Sequence, residues 1–169
     1  MDLSGADLSY ETMKGADFSN ADLSNAHLQN ANLEGANFTG ANLKEIFLFG
    51  SNLYKAKLDD ANLEEANLQD TNLDNASLKR ANMYHVALLG SSIENADMRD
   101  ANLTRARLKR ASLKGTKLDG CNLEQSHLVR SNLSGTSFVK ANLKNATLTN
   151  AIIENTDFTG SIMDDVIGL

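Results

Sequence analysis

The chain of 169 residues has no proline and no tryptophan, one cysteine, six phenylalanines and three tyrosines. The absence of proline suits a backbone that uses its N–H groups as donors, since proline removes one and interrupts a hydrogen-bonded ladder. A single thiol excludes an intramolecular disulfide framework, and a lone Cys121 fits a reducing compartment. There is no long apolar run and no basic-then-apolar leader, so neither a membrane span nor a signal peptide is expected. Catalytic signatures are missing too: no G-x-S-x-G, no phosphate-binding loop and no Gly-rich dinucleotide fingerprint. These absences point away from an enzyme, a cofactor and a membrane partner, and toward a cytoplasmic protein.

What is present is a repeat of five. From Leu3 to Met163 there are 33 positions spaced by five, and each is Leu, Ile, Met or Phe. Two residues before the centre stands a small residue in 29 of the 33 cases, 19 of them Ala. Asn or Asp usually lies between the two, as in Ala31-Asn32-Leu33. On an α-helix five residues turn through about 140° net, which scatters the centres around the axis. On a flat strand an odd step sends successive centres to opposite faces. A solenoid keeps them all inside if each unit is a short side followed by a corner, and its units must stack to make a core.

The units Ala21-Asp22-Leu23-Ser24-Asn25, Ala61-Asn62-Leu63-Glu64-Glu65 and Ala141-Asn142-Leu143-Lys144-Asn145 carry the motif A(D/N)LXX. The chain therefore resembles the pentapeptide-repeat family over nearly its whole length. That resemblance implies an all-β fold, a right-handed quadrilateral parallel β-helix with 20-residue coils and about eight of them, in one domain spanning 1–169. Centres and small residues point inward. Sorting the centres by four faces puts Phe18, Phe38, Phe138 and Phe158 on one face, as stacked aromatics. Cys121 falls in the small inward slot and is expected to be a buried thiol. Gly at the fifth place, as at Gly35 and Gly115, suggests a corner with an unusual φ.

Charge is divided along the chain. From Met1 to Asn75 there are 13 carboxylates against Lys14, Lys44, Lys55 and Lys57. Residues 99–117 form a basic belt of Arg99, Arg105, Arg107, Lys109, Arg110, Lys114 and Lys117 against Asp100 alone. His27 and His127 share a face but lie five coils apart, about 24 Å at strand spacing, too far to share a metal ion. His85 is expected to stack between Glu65 and Arg105 in an ion-pair column. Asp59 and Asp60 are expected to pair with Lys79 and Arg80 on a convex surface that offers no cleft to raise a carboxyl pKa.

One face departs from the motif. Units 46–50 and 86–90 both have a large inward residue, Ile46 and Val86, and apolar outward ones. The same face abandons Asn/Asp before the centre at His27, Phe47, Ala87, Arg107, His127 and Thr147, while the adjacent face keeps Asn from Asn42 through Asn142. Phe47, Phe49, Leu89 and Val129 are the candidate apolar strip for a partner. Arg107, Lys109, Arg110 and Arg130 share that face without acidic neighbours, and unpaired charges are better recognition candidates than paired ones.

The leading expectation is a non-enzymatic scaffold, a rigid rod presenting this patterned surface to a protein. A homodimer would form through a terminal coil or the Phe47/Phe49 strip. The family resemblance supplies an alternative, because some members mimic duplex DNA, bind bacterial DNA gyrase and confer quinolone resistance. Asp2, Asp7, Asp17, Asp22, Asp59, Asp60, Glu64 and Glu65 would make the acidic face of such a mimic. Against it, the belt would repel a DNA-binding cationic saddle. Direct nucleic-acid binding is not expected, since no aromatic stacking set accompanies the cations. The family is abundant in bacteria, cyanobacteria above all, and most members have no assigned biochemical role.

Overall fold

The computed structural model describes residues 1–169. Every unit has the same anatomy. Its second residue forms an isolated parallel bridge to the residue 20 further on, from Asp2–Asp22 to Thr147–Ile167. Four pentapeptides therefore separate paired positions, and the chain winds as a stack of four-sided circuits. The units starting at residues 1, 21, 41 and so on make the first face; those starting at 6, 11 and 16 open the second, third and fourth.

The corner explains the period. After each centre two residues turn, and the next small residue donates its N–H back to the centre's carbonyl, as Ala26 does to Leu23 at 3.0 Å. The fifth residue then needs φ > 0, as the third position of a type II turn does. It has φ > 0 in every unit from Gly5 to Asp165, and 23 of these residues are not glycine. The corner conformation is thus general, and glycine is only its least strained occupant.

The remaining donors are satisfied along the stack. In unit 61–65 the Asn62 N–H donates to Ala41 O at 2.9 Å, the Leu63 N–H to Asn82 O at 2.7 Å and the Glu65 N–H to Tyr84 O at 2.9 Å. The fourth N–H has no main-chain partner and is met by the second-place side chain: Glu64 donates to Asn62 Oδ1 at 3.3 Å. That local Asx turn is why Asn or Asp stands before the centre. With it, all five N–H groups of the unit are accounted for.

Centres and small residues line one core cluster of 46 buried residues. Each buried leucine contributes about 1.5–3 kcal/mol relative to exposure. Phe18 stacks on Phe38 with centroids 5.1 Å apart and Phe138 on Phe158 at 5.2 Å. Inward Ser and Thr hydroxyls donate to main-chain carbonyls, as Thr71 does to Leu48 O at 2.9 Å. Cys121 does the same with its thiol, 2.8 Å from Met98 O, and burial pushes its pKa up to about 12. Ile46 and Val86 fit the inward column of the second face because Ala66 and Ala106 alternate with them, and both are fully buried. No helix is long and apolar enough to cross a membrane.

Candidate protein-interaction face

The second face differs from the first in its donors. On the first face every fourth-place N–H from Ser4 to Lys144 finds the oxygen of a second-place Asp or Asn. The Asn side chains also pair between circuits: Asn82 Nδ2 donates to Asn62 and Asn102 Nδ2 to Asn82, each at 3.0 Å. On the second face only the N–H groups of Ser9 and Gln69 have such a partner. Those of Leu89, Lys109, Val129 and Thr149, four circuits in succession, donate to no group in the chain. Their second-place residues are Ala87, Arg107, His127 and Thr147, and none supplies the oxygen there.

The charges on this face are unpaired as well. Cross-circuit ion pairs join Lys14 to Glu34, Lys44 to Glu64, Lys79 to Asp59 and Arg80 to Asp60, and Arg99 pairs with Asp97 in its own unit. From Arg105 onward no cation has a carboxylate within ion-pair distance. Two open grooves flank the row. One, about 390 Å³, lies at the corner with the first face and is lined by His85, Arg105, Arg107, Gln125, His127 and Asn145. The other, about 210 Å³, is lined by Gln69, Asp70, Leu89, Gly90, Lys109 and Arg110. Arg107 thus stands on one side of the row, and Leu89, Lys109 and Arg110 on the other.

The apolar candidates are less continuous than the sequence suggested. Phe47 and Phe49 are exposed, but Gln69 stands between Phe49 and Leu89 in the stack and Lys109 between Leu89 and Val129. Phe47 lies flat on His27, centroids 4.7 Å apart and planes 8° from parallel. It belongs to an aromatic pair in the N-terminal circuits, apart from Leu89 and Val129. The Glu65–His85–Arg105 column does not form: Arg105 turns instead to Gln125 Oε1 at 2.9 Å and Tyr84 Oη at 3.2 Å.

The eight acidic candidates spread over three faces: Asp2, Asp22, Glu64 and Glu65 on the first, Asp7 on the second, and Asp17, Asp59 and Asp60 on the fourth. Arg80 grips Asp60 with two hydrogen bonds of 2.7 Å and holds its carboxyl below the usual range. Asp59 and Glu64 are also paired. Asp2 and Asp22 are lowered by the N–H groups of Ser4 and Ser24, and Asp7 and Asp17 by hydrogen bonds from Ser9 and Ser19. These four carboxylates are parts of the corner.

Sequence profiles agree with the anatomy. A family described as pentapeptide repeats (8 copies) matches residues 16–54 and again 56–95, and a pentapeptide repeat region matches 101–167. The chain belongs to the pentapeptide-repeat family. Comparison with curated proteins returned no match. Among solved structures, this pentapeptide-repeat chain is similar to a trypsin-treated form of QnrB1, described as a plasmid-mediated fluoroquinolone resistance protein. Identity is 20%, over 95% of this chain and 83% of that one, with a TM-score of 0.82. It is also similar to alr5209 of Nostoc PCC 7120, with 27% identity over 60% of this chain and 83% of that one and a TM-score of 0.51. HetL from Nostoc sp. strain PCC 7120, described as involved in heterocyst differentiation regulation, shares 27% identity over 98% and 90% of the two chains, with a TM-score of 0.42. At 20% identity the likeness to QnrB1 is one of fold.

Within the pentapeptide-repeat frame, the row of open N–H groups is what reading for side-chain chemistry overlooks. Its signal in the sequence is an absence, the missing Asn/Asp at positions 87, 107, 127 and 147.

Proposed function

We propose that this pentapeptide-repeat protein is a non-enzymatic interaction scaffold that binds a protein across its second face, around units 86–90, 106–110 and 126–130. One observation carries the reading. Arg107, Lys109, Arg110 and Arg130 lie together without a carboxylate partner, on a rod that pairs five of its seven cations up to Arg99, leaving only Lys55 and Lys57 open there. Desolvating charges already satisfied within the chain would gain a partner little, whereas open ones offer complementarity and orientation. The rod is taken as right-handed, one domain of about eight circuits, working in the cytoplasm; family resemblance and the pairing register from Asp2 to Ile167 support the geometry. Phe47 and Phe49 form a second apolar spot for self-association, as do the exposed Ile152, Ile162 and Ile167 of the last circuits.

The test is a lysate pull-down with the wild type and with Arg107→Glu/Arg110→Glu/Arg130→Glu, alongside sedimentation of the free protein. A retained partner lost in the triple variant, with an unchanged melting curve, is expected. Equal capture by both proteins would refute this face.

The alternative is a DNA mimic that engages gyrase. It draws on the acid excess before Asn75 and on the rod shape shared with QnrB1. Pairing of Asp59, Asp60 and Glu64 reduces the negative surface such a mimic would offer. Dose-dependent inhibition of supercoiling by titrated protein would favour it, and no inhibition would discard it.

A further inference from the structure

Open fourth-place N–H groups occur on every face, but only the second has them in successive circuits. Elsewhere in the chain the partner of this N–H is instructive. Where the second place is serine, a carboxylate from the fourth place one circuit earlier can substitute for the Asx oxygen. Lys79, Glu94 and Val139 donate their N–H to Asp59, Asp74 and Asp119 at 3.0, 2.7 and 3.2 Å. A carboxylate reaching in from beside the unit is therefore a partner this N–H accepts. On the second face no fourth-place Asp or Glu exists to do so: the column reads Ser9, Gln29, Phe49, Gln69, Leu89, Lys109, Val129 and Thr149.

Main-chain N–H groups in a row, flanked by cations without counter-charges, make an anion site. Leu89 and Val129, half-buried, set aliphatic surface between the cations. We infer that this row docks an acidic polypeptide segment interspersed with aliphatic residues. Its Asp and Glu side chains occupy the acceptor positions the chain itself leaves empty, and they ion-pair with Arg107, Arg110 and Arg130. Asp70, at the edge of one groove, sets the N-terminal limit of the cationic stretch. A nucleic acid would meet the same cations, but it would find no Phe, Tyr or Trp in units 86–90, 106–110 and 126–130 to stack on, and its charged backbone would not cover Leu89 and Val129. The inference rests on the scaffold reading and names the chemistry of its partner.

Fluorescence anisotropy tests it on the full chain with three labelled probes: a peptide of Glu-Leu repeats, its Gln-Leu counterpart and a single-stranded oligothymidine. The Glu-Leu peptide is expected to bind at least about tenfold tighter than either of the others, since both charge and apolar fit are required. The variant Ala87→Asn/His127→Asn supplies oxygens to two of the four open N–H groups, those of Leu89 and Val129, and leaves every arginine and lysine in place. It is expected to melt no lower than the wild type and to lose Glu-Leu affinity several-fold. Saturating peptide should shift the amide resonances of Leu89, Lys109, Val129 and Thr149 in the wild type. Absent binding, equal binding of the Gln-Leu peptide, tighter binding of the oligothymidine, or undiminished affinity in the filled variant would each overturn the inference. The scaffold reading would survive any of these if the pull-down partner is still lost with Arg107→Glu/Arg110→Glu/Arg130→Glu, and would fall with an empty pull-down.

Discussion

The first and second faces are built on the same corner, with the same pairing register and the same buried centres, and they differ in one place of five. On the first face the second-place Asp or Asn closes the fourth N–H and links circuit to circuit. On the second face that place holds His, Phe, Ala, Arg or Thr at most levels, and the N–H is left to whatever approaches. The same face has the two oversized inward residues and the one buried side-chain polar atom without a hydrogen-bond partner, Ser126 Oγ. The lesson is that core and ladder suffice to hold the rod, while the Asx oxygen decides whether a face is closed or receptive.

The comparison breaks most sharply by deleting the closing oxygen. Asn102 accepts from the Thr104 N–H and hydroxyl and donates to Asn82. Asn102→Ala should cost about 1–3 kcal/mol, because a part-buried donor loses its acceptor. Arg107→Ala, its neighbour on the second face, should change stability by less than about 0.5 kcal/mol. Urea melts of the two variants compare them directly.

Corner glycines sharpen it next. At Gly90, with φ of +67°, an added Cβ would come 2.4 Å from Asp70 Oδ1, whereas at Gly135 the nearest atom is 3.9 Å away. Gly90→Ala and Gly135→Ala should each lose about 1–2 kcal/mol for the left-handed φ, and Gly90→Ala slightly more, because its Cβ must also displace the flexible end of Asp70. Ser126→Ala should raise stability by about 1 kcal/mol by removing an orphaned hydroxyl, an unusual sign for a core change.

The smallest effect is set by pH. Asp2, Asp7, Asp17 and Asp22 hold their protons less tightly folded than unfolded. Their contribution is present above the ordinary carboxylate pKa and is lost as pH falls through the lowered values. Acid titration followed by NMR should loosen the corners at Ser4, Ser9, Ser19 and Ser24 before it affects the Asn-closed corners at Thr104 and Glu124.

Much of this was legible in advance, for physical reasons. A period of five admits no regular helix or flat strand, so a solenoid follows from spacing, while the 20-residue circuit that stacks the phenylalanines and the asparagines is what the family resemblance implies. The candidate site was legible only in part. The unpaired state of Arg107 and Arg110 could be read from their columns, because cross-circuit neighbours are 20 residues apart. Pairing in other directions could not. Asp59 reaches Ser77, 18 residues on, Arg99 turns back to Asp97, and Arg105 leaves its column for Tyr84 and Gln125. Side-chain length and rotamer decide those contacts. The break between Phe49 and Leu89 was visible in Gln69, but the flat seat of Phe47 on His27 was not.

Amide hydrogen exchange tests the central claim most directly. In the free protein the N–H groups of Tyr84, Thr104, Glu124 and Lys144 should exchange at least about tenfold more slowly, after correction for intrinsic rates, than those of Leu89, Lys109, Val129 and Thr149 at the same levels of the stack. Equal protection of the two sets would contradict the account, because the second face would then be as closed as the first.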